Sequence, residues 1–137
     1  LTEELQASCT SPRVHFVGKV SVDDLRCYRY ASTVLAFPSN TKNEAFGLSL
    51  AQGMYCKVPA VTFTIDGSGV NWVSINKKTC LEVPNEDTEA YAKAIDQIIT
   101  DKPLHDRLAE AGYERVKSLF VLPKEIEACQ KAYDAII

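Results

Sequence analysis

The sequence has few of the residues from which metal sites and disulfide frameworks are built. Its 137 residues include only two histidines, and its five cysteines are odd in number, scattered and never spaced as Cys-x-x-Cys. This pattern argues against a zinc cluster, so we expect no metal site. The same scatter predicts free thiols in a reducing cytoplasmic environment.

A surplus of positive charge and long apolar runs are missing as well. Fifteen Lys and Arg stand against 18 Asp and Glu, for a net charge of -3, which offers no broad attraction for nucleic acid or acidic lipid. No apolar run approaches the ~20 residues that span a bilayer, and no signal-peptide pattern is visible. Hydrophobic residues make up 46%, enough for a core. We therefore expect one cytoplasmic domain, residues 1–137, that binds no nucleic acid.

Three motifs of nucleotide-binding proteins and hydrolases are also lacking. There is no Gly-Lys-Ser/Thr of a P-loop, and the turn at residues 66–69 (Asp-Gly-Ser-Gly) has Trp72 where a dinucleotide fingerprint has its third glycine. Ser39 lacks the Gly-x-Ser-x-Gly frame of a nucleophile elbow. Any anion binding by the 66–69 turn would have to come from its backbone amides, and an ordinary tight turn is the alternative.

What the sequence does contain is an alternation of apolar, β-branched runs with amphipathic segments. The runs predict strands over residues 14–17, 33–37, 60–65 and 80–83. The amphipathic segments predict helices over residues 21–32, 45–56 and 70–75, and three more that begin near Asp87, Pro103 and Pro123. This order predicts an α/β fold with a parallel sheet, right-handed crossovers and flanking helices whose apolar stripes face the core.

The loops after the predicted strands form the candidate ligand site, because open parallel sheets bind ligands at the carboxyl ends of their strands. Glu44 and Gly47 flank the start of the helix predicted from Ala45. The free N–H groups of a first helical turn, with the helix dipole behind them, suit a phosphate. Glu44 would then accept hydrogen bonds from hydroxyl groups beside the anion. A carboxylate is equally favoured at a helix start without any ligand, so the residues alone leave both interpretations open.

Three neighbouring segments carry a family resemblance: residues 44–48 (Glu-Ala-Phe-Gly-Leu), 50–54 (Leu-Ala-Gln-Gly-Met) and 57–61 (Lys-Val-Pro-Ala-Val). They resemble the C-terminal nucleotide-binding domain of retaining glycosyltransferases with the glycosyltransferase-B fold, the group that contains glycogen and sucrose synthases. The resemblance implies a Rossmann-like domain and sugar transfer with retention from a UDP- or GDP-linked donor. It also implies a role in polysaccharide biosynthesis, with no obligatory metal or other cofactor.

The family motif, a Glu followed by seven residues and a second Glu, assigns roles to particular residues. The resemblance gives Glu44, the catalytic position, the contact to the donor sugar. The second Glu binds the ribose hydroxyls, and here that position is Gln52, which keeps one acceptor oxygen and loses the charge. We therefore expect weaker ribose binding or a variant donor.

The resemblance also implies donor contacts outside the two motif positions. The backbone amides of Phe46, Gly47 and Leu48 are expected to hold the diphosphate and the sugar. Gly18 and Val20, in the loop after the first predicted strand, are expected to contact the nucleotide.

Several features depart from the family pattern. The family's domain begins with two further strands and a basic pair, an Arg and a Lys, for which this sequence has no counterpart, and Cys80 stands where the family usually has glycine. We expect the chain to belong to a longer enzyme, to be inactive alone and to be completed by an N-terminal acceptor domain; peripheral membrane association of the intact enzyme is compatible with this. A non-catalytic nucleotide-sugar-binding or interaction module, and a sugar-nucleotide epimerase of the same architecture, are the alternatives.

Overall fold

Three parallel strands form the sheet. The computed structural model describes residues 2–136, and its strands β1 (Leu35–Phe37), β2 (Ala60–Phe63) and β3 (Cys80–Val83) pair in the order β1-β2-β3. The pairing is parallel throughout. Every residue of β2 is buried, as expected for a central parallel strand covered on both faces. The predicted α/β class is confirmed.

Helices connect and flank the strands. In chain order they are α1 (Thr2–Ser8), α2 (Val22–Ala31), α3 (Leu48–Tyr55), α4 (Val70–Val73), α5 (Thr88–Thr100), α6 (Lys102–Leu119) and α7 (Leu122–Asp134). The start of α2 is a capping box, in which Ser21 Oγ accepts from the Asp24 amide at 3.1 Å and donates to Asp24 Oδ2 at 2.7 Å. Within residues 2–136, no helix combines the length and apolarity that crossing a membrane requires.

The core is built between the sheet and helices α3, α5 and α6. Its fully buried side chains include Leu50, Met54, Ile98 and Leu108. Helix α3 packs closely on β1, since a Cβ on Gly53 would lie 2.6 Å from the side chain of Leu35. This packing sets the position of α3, which carries part of the candidate site.

Cys80 occupies the first position of β3 without disturbing the sheet. Its side chain is fully buried and it lies opposite Ala60 in the parallel register. Burial raises the pKa of the Cys80 thiol, which disfavours the reactive thiolate. The departure from the family's glycine is accommodated as a small apolar side chain.

The strand predicted over residues 14–17 is wrong. The structure has no strand there, and Val14, Phe16 and Val17 are exposed. A strand requires a neighbour to satisfy its backbone groups, and within residues 2–136 no strand pairs with the outer edge of β1. The β-branched and aromatic composition of residues 14–17 was therefore not sufficient to make this segment a strand.

The apolar stripe predicted on the last helix also fails to face the core. Its members Ile126, Cys129, Tyr133 and Ile136 are exposed, and no residue of α7 is buried. Sequence periodicity identifies which face of a helix is apolar, but it does not establish that another element covers that face.

Tyr91 joins α5 to the centre of the sheet and should make stability depend on pH above 10. Its hydroxyl donates to the carbonyl oxygen of Val61 at 2.9 Å, and burial raises the pKa of Tyr91 to about 12. The unfolded chain releases this proton near its ordinary pKa of about 10. The contribution of Tyr91 is therefore fully present below pH 10 and declines as the pH rises toward 12.

Urea unfolding of the wild type and of Tyr91→Phe at several pH values between 8 and 11.5 measures this effect. We expect the free energy of unfolding to fall less steeply with pH in Tyr91→Phe, which lacks the titrating hydroxyl. At neutral pH the variant should lose about 1 kcal/mol with the hydrogen bond. Equal pH slopes in the two proteins would contradict the assignment.

Candidate functional site

The side chain of Glu44 accepts a hydrogen bond from the backbone of its own loop, the loop that follows β1. Its Oε1 accepts a hydrogen bond from the Gly47 amide at 2.9 Å. Gly47 has a φ of +87°, in the left-handed region that favours glycine. Helix α3 therefore begins at Leu48, three residues later than the start predicted at Ala45. One of the three amides expected to hold a donor already has a protein partner.

The remaining amides at this helix start are unoccupied. Among the contacts of residues 2–136, none provides a hydrogen-bond acceptor for the amides of Phe46, Leu48 or Ser49. They belong to the group of donors that every helix start leaves unsatisfied, at the positive end of the helix dipole. An anion can therefore bind the Phe46 and Leu48 amides directly, and binds the Gly47 amide only by displacing the Glu44 carboxylate.

The turn after β2 holds the Glu44 loop in place. Ser68 Oγ donates to the carbonyl oxygen of Glu44 at 2.5 Å, and a Cβ on Gly69 would lie 2.0 Å from the carbonyl oxygen of Ala45. The two loops thus touch backbone to backbone. Within the turn, the Ser68 amide donates to the carbonyl oxygen of Ile65 at 3.1 Å and the Val70 amide donates to Ser68 Oγ at 3.2 Å, as in an ordinary tight turn.

Phe46, Leu48 and Gln52 line one cavity of about 410 Å³. It lies where α2, α3 and the junction of α6 and α7 come together, and its other walls include Arg26, Arg29, Tyr30, Tyr55 and Phe120. The ring of Phe46 packs edge-on against Phe120, with centroids 5.4 Å apart. A mainly apolar cavity with a few polar groups is the usual form of a small-ligand site.

Arg29 is a site residue that the sequence did not indicate. Its Nη2 donates to Gln52 Oε1 at 2.6 Å, across 23 positions of the chain. In the sequence, an arginine in the last turn of a helix is accounted for by the helix dipole alone. Only the packing of α2 beside α3 reveals the contact.

A second cavity, of about 610 Å³, lies at the carboxyl ends of the strands. Its lining includes Asn40, Lys42, Asp66 and Asn85, and Asn85 Nδ2 donates to the carbonyl oxygen of Asn40 at 3.0 Å. The loops after β1, β2 and β3 therefore lie next to one another at this edge of the sheet. Lys42 was not singled out from the sequence, where it is one polar residue of a loop.

Gly18 and Val20 are not brought to these cavities. Within the part of the chain that the structure describes, neither residue lines either one; Gly18 is exposed with a φ of +64°, and Val20 is half-buried. They follow the segment that does not form a strand, so nothing places their loop at the sheet edge. Val22, two residues further on, does line the 410 Å³ cavity. Nucleotide contact by Gly18 and Val20 stays a prediction.

The parallel sheet with flanking helices defines an α/β fold. Strand-end loops that meet beside a helix start, with an adjoining cavity, are typical of the ligand sites of such folds. Comparison with known proteins identifies the family. The chain belongs to the family described as "Glycosyl transferases group 1", whose sequence profile matches residues 1–115.

Relatives with curated names agree with this membership. The chain is 29% identical to the D-rhamnosyltransferase WbpZ of Pseudomonas aeruginosa over 78% of its own length and 28% of that protein. It is 31% identical to the D-inositol 3-phosphate glycosyltransferase of a Nocardioides species over 81% of its own length and 23% of that protein. The chain therefore spans about a quarter of the length of these relatives.

Solved structures agree on the fold. The sucrose-phosphate synthase of Thermosynechococcus elongatus superimposes with a TM-score of 0.83 at 29% identity, over 98% of this chain and 33% of that one. Anabaena HepE, solved in complex with UDP-glucose, has a TM-score of 0.81 at 17% identity, over 97% of this chain and 36% of that one. The resemblance to the C-terminal domain of glycosyltransferases with the glycosyltransferase-B fold, and the Rossmann-like architecture, are confirmed.

Proposed function

We propose that this chain is the donor-binding half of a retaining glycosyltransferase that uses a UDP- or GDP-linked sugar. The observation that carries the proposal is the turn from Glu44 to Leu48, which holds a carboxylate and free main-chain amides at the start of α3. Two residues of this turn, Phe46 and Leu48, line the same cavity as Gln52. The UDP-glucose bound to the structurally similar HepE supports the choice of ligand class.

The proposed mechanism is one of binding and charge stabilisation. The nucleoside lies in the 410 Å³ cavity against Phe46 and Gln52, and the diphosphate lies on the amides of Phe46 and Leu48. Amide N–H groups that already point toward the departing diphosphate lower the energy barrier of the reaction, because they need not reorganise as charge develops on the diphosphate. Glu44 orients the donor sugar and is not a nucleophile. The donor is a substrate, and the proposal requires no metal or other cofactor.

We further propose that the intact protein contains an N-terminal acceptor domain and acts in the cytoplasm in polysaccharide biosynthesis, with peripheral membrane association compatible with that role. The relatives, several times longer than this chain, support an additional domain. The exposed apolar side chains of residues 14–17 would gain neighbours in a larger sheet.

Substitution of Glu44 tests the site in the intact protein. Glu44→Gln keeps an oxygen that can cap the Gly47 amide but loses the charge, and we expect kcat/KM for the donor to fall at least about tenfold, as for loss of a charged hydrogen bond. Glu44→Ala should fall further, because it also removes the cap. Release of UDP or GDP and transfer of the sugar are the measurements.

Glu89→Gln is the matched control for this test. Glu89 is exposed on α5 and pairs with Lys93 at 2.6 Å, away from the candidate site, so its variant should retain wild-type turnover. Wild-type kinetics in both Glu44 variants would contradict the role proposed for Glu44.

A non-catalytic nucleotide-sugar-binding module is the second candidate, and Gln52 in place of the family's Glu is the observation that favours it. Donor binding without turnover in the intact protein would support that candidate. Appearance of an epimerised donor in the absence of acceptor would indicate the third candidate, an epimerase of the same architecture.

A further inference from the structure

The hydrogen bond between Arg29 and Gln52 determines which atom of the Gln52 side-chain amide is free to contact a ligand. A guanidinium group only donates hydrogen bonds, so the atom of Gln52 that faces Arg29 Nη2 at 2.6 Å must be the amide oxygen. The amide nitrogen then points away from Arg29. Among residues 2–136, no group accepts a hydrogen bond from this nitrogen.

We infer that Arg29 makes the Gln52 position a hydrogen-bond donor toward the nucleoside, so that this protein distinguishes ribose from deoxyribose only weakly. The inference rests on the donor binding proposed above and concerns the specificity of that site. Arg29 acts through Gln52, and is therefore a positioning residue.

The physical reason lies in the difference between a carboxylate and an amide at this position. A carboxylate only accepts, and a ligand that lacks its hydroxyl leaves a charged group without a partner, which strongly disfavours that ligand. The Gln52 amide nitrogen is a neutral donor that can use any acceptor in reach, including an ether oxygen or water. Loss of one hydroxyl from the sugar therefore costs little.

Arg26 provides a matched comparison within the same cavity. It lies one turn before Arg29 on α2 and also lines the cavity. Its guanidinium lies 3.7 Å from Asp23, and within the described residues it has no hydrogen bond to Gln52. Removing Arg26 changes the charge of the cavity and leaves the orientation of Gln52 intact.

The test is the ratio of the dissociation constants of 2′-deoxy-UDP and UDP, and of 2′-deoxy-GDP and GDP, measured by calorimetry on the intact protein. We expect a ratio below about threefold for the wild type, as for a neutral hydrogen bond that is readily replaced. Gln52→Glu should raise the ratio above about tenfold, because its second oxygen accepts from the ribose.

Variants of the arginines distinguish positioning from general packing. Arg29→Met frees the Gln52 amide to turn its oxygen toward the ribose, and we expect the ratio to rise severalfold. Arg29→Lys retains a donor and should retain the wild-type ratio, as should Arg26→Met even where the affinity for both nucleotides falls.

A wild-type ratio of about tenfold or more, or an unchanged ratio in Arg29→Met, would overturn the inference while leaving the proposed function in place. Failure of the wild type to bind any of the four nucleotides would overturn the proposed function, and the inference with it. Gln52→Glu, an exposed substitution, keeps the test valid where an Arg29 variant does not fold.

Discussion

Gly69→Ala should lower the free energy of unfolding by about 3 kcal/mol, at the upper end of the usual cost of overpacking. The backbone angles of Gly69, φ -71° and ψ -13°, are those that alanine adopts without strain. The whole cost therefore comes from the new methyl group, which would lie 2.0 Å from the carbonyl oxygen of Ala45. Because that neighbour is backbone, it cannot rotate away, and the Glu44 loop must move.

Gly67→Ala is the matched control, because there the two factors are reversed. A Cβ at Gly67 meets nothing within 4 Å, but its φ of +76° is unfavourable for alanine, a cost of about 1–2 kcal/mol. Urea unfolding measures both variants, and donor affinity should fall in Gly69→Ala alone, since only that change displaces the Glu44 loop. Equal stability of Gly69→Ala and the wild type would show that the two loops do not touch as described.

Leu50→Ala should destabilise the domain by about 3–5 kcal/mol, the range for a fully buried leucine whose site cannot collapse. Leu50 is 0% exposed and lies in the core cluster under α3. The same helix presents Gln52 and the free amides, so loss of this packing loosens the candidate site as well. For a domain whose total stability is about 5–15 kcal/mol, the variant should be near unfolding at 37 °C.

Leu48→Ala makes the same chemical change two positions earlier in α3. Leu48 is 65% exposed, so its variant should lie within about 0.5 kcal/mol of the wild type. Chemical denaturation of both variants at equal protein concentration gives the comparison. Similar losses from the two substitutions would show that α3 is not oriented with Leu50 toward the sheet.

Features that depend on residues close together in the chain could be predicted. The helix predicted from residue 21 was one, since the capping box of Ser21 and Asp24 that begins α2 has both partners within one turn. The run predicted as a strand over residues 60–65 was another, because burial of β2 on both faces leaves a recognisable apolar pattern. The family resemblance likewise rested on segments that follow each other closely along the chain.

Features that depend on contacts between residues far apart in the chain could not be predicted from the sequence. Helix α3 begins at Leu48 and not at the predicted Ala45, because the Glu44 carboxylate accepts from the Gly47 amide. In addition, Ser68, in the loop after β2, donates a hydrogen bond to the carbonyl oxygen of Glu44. The orientation of the Gln52 side-chain amide depends on Arg29, 23 residues earlier in the chain. No local pattern encodes either arrangement, since the same residues have adequate local explanations without it.

The sequence by itself determined the fold class and the family, and it identified Glu44 and Gln52 as candidate site residues, because hydrophobic periodicity and short motifs are local properties. The tertiary structure decided which amides stay free, which way Gln52 faces and whether residues 14–17 form a strand. Each of these depends on a hydrogen-bond partner supplied by another part of the fold, and a backbone or amide group takes whichever partner the packing brings within reach.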